Sequence, residues 1–72
     1  MNKADELFGE LGYVRKVYLK EDELFEIRFE NNGKEIWFDK IREEFGSLSG
    51  IEVKELQAIN EKCKELGWLD DK

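Results

Sequence analysis

Histidine is absent from this chain of 72 residues. The commonest general base and metal ligand is therefore missing, and with it every Cys-His, Ser-His-Asp and His-zinc arrangement. Proline is absent too, and cysteine occurs once, as Cys63. One cysteine excludes an internal disulfide framework, which small secreted domains usually need. No run approaches the roughly 20 apolar residues of a membrane span. Behind Asn2, Lys3, Ala4, Asp5 and Glu6 no apolar stretch follows, which points away from a secretory leader. The expectation is a cytoplasmic protein, off the membrane, monomeric or weakly homodimeric.

What is present suffices for a small core. Five Phe and two Trp stand within a composition that is 40% hydrophobic. A disordered chain is poorer in aromatics and lacks periodic patterning. A domain of this length keeps only a thin stability margin, roughly 3–5 kcal/mol. Net charge is −6, which argues against general affinity for nucleic acid. The charge is uneven: residues 13–20 hold Arg15, Lys16 and Lys20 and no acid, whereas residues 21–30 hold five acids against Arg28.

The order of elements reads helix, strands, helix over residues 1–72, a single α+β domain. The first helix is expected from Lys3 to Leu11, with Asn2 as N-cap, Asp5 and Glu6 in the first turn and Leu7, Phe8 and Leu11 as the apolar stripe. Gly12 stops it. The last helix carries Leu56, Ile59, Cys63 and Leu66 at helical spacing. Its start reads as a capping box between Glu52 and Glu55 with an Ile51–Leu56 staple, and Glu52 is a weak enough cap to predict fraying. Gly67 and then Trp68 read as a Schellman stop, with Trp68 over Cys63.

Between the helices Val17 and Leu19, then Phe25, Ile27 and Phe29, then Ile36 and Phe38 alternate with polar residues. Asn32-Gly33 predicts a two-residue type I′ hairpin. It pairs Phe29 with Ile36 and Ile27 with Phe38, and sets Glu30 opposite Glu35. For the first hairpin, facing Leu19 to Phe25 needs a three-residue loop, Glu21 to Glu23, which has no glycine. Residues 40–50 read as a helical turn or a fourth strand around Phe45 to Leu48, the strand being favoured. The expected fold is an N-terminal helix, a three- or four-stranded antiparallel meander and a C-terminal helix, both helices on one face of the sheet.

The side chains offer little chemistry. Cys63 lies on the apolar stripe, where a thiol behaves as a small hydrophobe. Acid pairs such as Glu21-Asp22-Glu23 and Glu43-Glu44 are the default of an acidic surface, and a loose divalent cation there is the weaker reading. No EF-hand, P-loop or dinucleotide fingerprint appears. No enzyme activity, cofactor or metal is expected. The distinctive feature is the outer sheet face, where Lys16, Arg28 and Trp37 form one row and Tyr18, Glu26 and Asp39 the next. Trp, Tyr and Arg are over-represented at binding hot spots, so Trp37, Arg28, Lys16 and Tyr18 are the candidate partner-binding residues. The plainer alternative is that aliphatic stems or residues 40–50 cover Trp37.

The stretches ADELFGELGY (4–13) and ELQAINEKCKELGW (55–68) resemble a group of small uncharacterised proteins encoded by phages and prophages of Gram-positive bacteria. The sequence departs from that group at Glu52, where Ser or Thr is usual, and at Gly9. The resemblance implies a bacterial cytoplasm and an accessory role, and carries over no functional residue. The leading expectation is a non-enzymatic interaction module acting on a host or phage protein, basic if charge guides it. Mimicry of nucleic acid by its acids is a variant. The alternative is weak single-stranded nucleic-acid binding, with Trp37 and Tyr18 stacking on bases.

Overall fold

The computed structural model describes residues 2–69. Six elements follow one another: α1 (Lys3–Glu10), β1 (Val14–Lys20), β2 (Glu23–Asn31), β3 (Lys34–Asp39), β4 (Glu44–Ser47) and α2 (Val53–Glu65). The strands form one antiparallel sheet in the order β1-β2-β3-β4, and both helices pack on the same side of it. The favoured fourth strand is present.

Both helices end by the same device. Gly12 and Gly67 take positive φ, +93° and +80°, which a side chain with a Cβ resists. Tyr13 N–H then donates to Phe8 C=O and Trp68 N–H to Cys63 C=O, each at 2.9 Å, the long bond of a Schellman motif. At the other end of α1, the Asn2 side chain accepts from Asp5 N–H at 2.8 Å. The start of α2 is tied down rather than frayed. Glu52 N–H donates to Glu55 Oε1 at 2.9 Å, and Lys34 Nζ reaches Glu52 Oε2 at 3.0 Å.

The second hairpin has the expected register: Phe29 faces Ile36, Ile27 faces Phe38, and Glu30 faces Glu35. Asn32 and Gly33 take φ +49° and +88°, as a type I′ turn demands. The first hairpin differs. Its turn is two residues, Glu21 and Asp22, both at positive φ (+52° and +66°). Leu19 therefore faces Leu24, and the spare residue, Phe25, is absorbed in a bulge opposite the Tyr18–Leu19 step. A two-residue turn matches the twist of the strands, and this outweighs the poor fit of acids to left-handed backbone.

The core consists of Phe8, Tyr13, Ile27, Phe29, Ile36, Phe38, Ala58, Ile59 and Cys63. Phe8 stacks on Phe29, with ring centroids 3.9 Å apart, and Phe38 stands edge-on to both at about 6 Å. Burying each such ring stabilises the fold by roughly 1.5–3 kcal/mol. Four expected members lie outside; one is Phe25, which the bulge displaces, so that Leu24 packs against the core in its stead. Val17 and Leu19 are 47% and 58% exposed, because the helices cover β2 and β3 and leave all of β1 open. Leu56 is 52% exposed. α2 is turned so that Glu55 and Lys62 point inward beside Ala58, Ile59 and Cys63. The staple expected between Ile51 and Leu56 sits on an exposed surface.

The inward polar groups are matched by partners from other elements and, for Lys62, from α2 itself. Glu55 Oε2 accepts from the Tyr13 hydroxyl and from Lys34 Nζ at 2.9 Å. Lys62 Nζ lies 2.9 Å from Glu65 Oε2, 3.0 Å from Asp5 Oδ1 and 5.6 Å from the centre of the Phe29 ring. Rotating α2 to bury Leu56 instead would strand these charges.

Candidate protein-interaction face

With both helices on one side, the other side of the sheet is open. Side chains alternate along a strand, so the residues beside Ile27, Phe29, Ile36 and Phe38 point outward. Lys16, Arg28, Trp37 and Gly46 form one row across the four strands. Tyr18, Glu26, Asp39 and Glu44 form the row on one side, and Val14, Glu30 and Glu35 lie on the other. Sequence reasoning therefore placed Lys16, Arg28, Trp37 and Tyr18 together correctly.

Arg28 is the hub. Its guanidinium carbon lies 5.0 Å from the centre of the Trp37 ring and 5.9 Å from that of Tyr18. Its Nε donates to Glu26 Oε2 at 2.8 Å, and its Nη1 donates to Glu35 Oε1. The Glu26 hydrogen bond, aided by Glu35, pushes the Arg28 pKa further above its already high value, against the opposing effect of burial. Lys16 Nζ meets Glu30 Oε1 at 3.1 Å, and this hydrogen bond raises the lysine's pKa.

Glu26 and Glu35 escaped the sequence reading as ligands of Arg28, although their positions were visible. Glu26 is two residues before Arg28 on the same strand face. Glu35 is diagonal to it, two residues before its direct partner Trp37.

Gly46 is the other unforeseen member of the row. A Cβ at this position would stand 2.6 Å from Trp37 Cζ2. The indole therefore lies flat over the backbone of β4, half-buried, as the plainer reading of Trp37 anticipated. It is held from two sides, by Gly46 beneath and Arg28 beside it. Around this stack five carboxylates (Glu26, Glu30, Glu35, Asp39, Glu44) outnumber the cations Lys16 and Arg28 on the face.

Elsewhere the chemistry is sparse. Cys63 is buried, and burial pushes its thiol pKa up, away from the reactive thiolate. Among the described residues no three His, Cys, Asp or Glu side chains are grouped to hold a metal ion. No helix among them is long and apolar enough to cross a membrane. No protein-family model matches the chain, and neither a curated protein nor a solved structure is detectably similar to it.

Proposed function

We propose that the protein is a non-enzymatic interaction module that docks a basic partner protein on its outer sheet face. The observation that carries this reading is the Tyr18–Arg28–Trp37 stack, held by Glu26 and Glu35 on the side of the sheet that no helix covers. Side chains ordered before binding lose little entropy on docking, so they suit a hot spot. The surrounding carboxylates favour a cationic surface by complementarity. The resemblance of the helical stretches to phage and prophage proteins suggests a bacterial host protein as that partner. If the partner normally binds nucleic acid, the acids act as its mimic.

Single-stranded nucleic acid fits the same face less well. A phosphate at Arg28 must displace Glu26 and Glu35, and one at Lys16 must displace Glu30, on a face already rich in negative charge.

The test is affinity capture from a bacterial lysate with the native protein, a Trp37→Ala variant and a Gln57→Ala control on the exposed side of α2. The expected result is a basic protein retained by native and control, lost with Trp37→Ala and released by salt. Equal retention by all three folded proteins overturns the reading.

A further inference from the structure

The two edges of the sheet are unequal. β4 is only four residues long, whereas β1 runs for seven, and every one of the seven is exposed. An edge strand presents a row of backbone N–H and C=O groups that the ladder leaves without partners. β1 also carries Arg15, Lys16 and Lys20 and no acid, in a chain of net charge −6. Arg15 and Lys16 each lean on one carboxylate, Asp5 at 3.5 Å and Glu30 at 3.1 Å, yet their side chains stay 53% and 54% exposed. Val17, which faces Ile27, is only half covered, so aliphatic surface on the helix side of the strand is open as well.

We propose that β1 is a docking edge for an extended acidic segment of a partner protein, which adds to the sheet as a fifth strand. Main-chain hydrogen bonds supply affinity in this mode and alternate side chains supply selectivity. Two faces define what fits. On the outer face Lys16 calls for a carboxylate opposite it. On the helix face Val17 calls for an aliphatic side chain. A strand alternating acidic and aliphatic residues satisfies both.

Charge also decides against a second copy of this chain. Two β1 strands side by side, about 4.8 Å apart, bring cations of facing strands within a screening length of roughly 8 Å of each other. An antiparallel pairing centred on Tyr18 sets Lys16 directly against Lys20. Lysines on edge strands serve to block such pairing. The same cations that repel a copy attract an acidic strand, which is selectivity by both repulsion and attraction. Lys16 and Tyr18 border both surfaces, but the β1 edge is basic and the outer face around Trp37 is acidic, so substitution at Trp37 distinguishes the two.

The experiment is a nitrogen-15 amide NMR titration of the full chain with a peptide of about eight residues alternating Glu and Val, a length that matches one strand. The expected result is shifts concentrated at Val14–Lys20 with slowed hydrogen exchange there. Neutralising two cross-strand charge pairs with Lys16→Gln and Lys20→Gln raises Kd about tenfold. Trp37→Ala leaves this binding in place. A peptide N-methylated at alternate residues, unable to donate to the edge, does not bind. The proposal is overturned if the N-methylated peptide or an alternating Lys-Val peptide binds equally well. It is overturned too if shifts miss β1, if nothing binds at millimolar peptide, or if the protein sediments as a dimer with β1 amides already protected.

Discussion

The ammonium of Lys62, wholly withdrawn from solvent, stands 3.0 Å from Oδ1 of Asp5 on the opposite helix. Among the described residues this oxygen receives no directed hydrogen bond, so the contact is one of charge alone. It ties α1 to α2 across the aromatic stack, since the same ammonium lies over the Phe29 ring. Breaking a buried pair by removing one partner leaves a charge uncompensated, whereas removing both together is far milder.

Lys62→Met therefore leaves the inward oxygen of Asp5 without a cation, with only Arg15 at 3.5 Å from its other oxygen, while Glu65, at the surface end of the pair, turns to water. Urea denaturation of Lys62→Met is expected to show a loss of about 2 kcal/mol, and Asp5→Asn a smaller one because Glu65 still serves Lys62. The double variant is expected to lose less than the sum. Simple additivity shows that the two groups do not interact across the helices.

The Tyr13–Glu55–Lys34 network predicts how stability follows pH. Burial first, and the Glu55 carboxylate second, push the Tyr13 phenol from 10.0 up to about 12. Its folded pKa is thus raised, so its contribution is whole below pH 10 and disappears as pH rises toward 12. For Glu55 burial acts to raise the pKa, but the Tyr13 hydroxyl, the Glu52 N–H and Lys34 outweigh it and the net shift is downward. Its contribution is present above the ordinary carboxylate pKa near 4.5 and is lost as pH falls below it. Phenolate absorbance should show one tyrosine ionising near 12, and Tyr13→Phe should abolish that step and cost roughly 1.5 kcal/mol. A tyrosine titration with no such late step contradicts the network.

The glycine stops at Gly12 and Gly67 and the Asn32-Gly33 hairpin were legible in the sequence because each depends on neighbours a few residues away. The outer row Lys16–Arg28–Trp37 followed once the register was known. The inward face of α2 was not legible. Glu55 is buried by groups 42 and 21 residues distant, Tyr13 and Lys34, and a count of apolar periodicity assigns such a residue to solvent. Leu56 was placed inside by the same count, and the helix instead turned to satisfy its charges. β1 alternates like any half-buried strand, and nothing local says that the helices stop short of it.

The first hairpin carries a removable strain. Glu21 and Asp22 both hold left-handed backbone that costs an ordinary residue on the order of 1 kcal/mol or more. Replacing the pair by Asn-Gly, as already used at Asn32-Gly33, supplies residues that adopt this conformation readily. Glu21→Asn with Asp22→Gly is expected to raise stability by about 1 kcal/mol in urea denaturation. A loss of stability would mean that the acids make compensating contacts at the turn.

Gly46 is where the candidate face is most easily broken without touching its polar groups. Its φ is not in the left-handed region, so alanine fits the backbone. What alanine lacks is space, for its methyl would stand 2.6 Å from the Trp37 ring. A rigid indole cannot bend away at its tip, so Gly46→Ala must tilt the whole ring off β4 and away from Arg28. Overpacking of this kind costs about 1–3 kcal/mol. The variant is expected to unfold at lower urea and to show red-shifted tryptophan emission as Trp37 gains water. Measuring the same shift in a Trp68→Phe background assigns it to Trp37. Partner capture should fall as it does with Trp37→Ala, because the hot spot depends on the stacked geometry rather than on the indole's presence. A Gly46→Ala protein that is displaced in emission yet captures its partner at full strength removes the stack from the binding site.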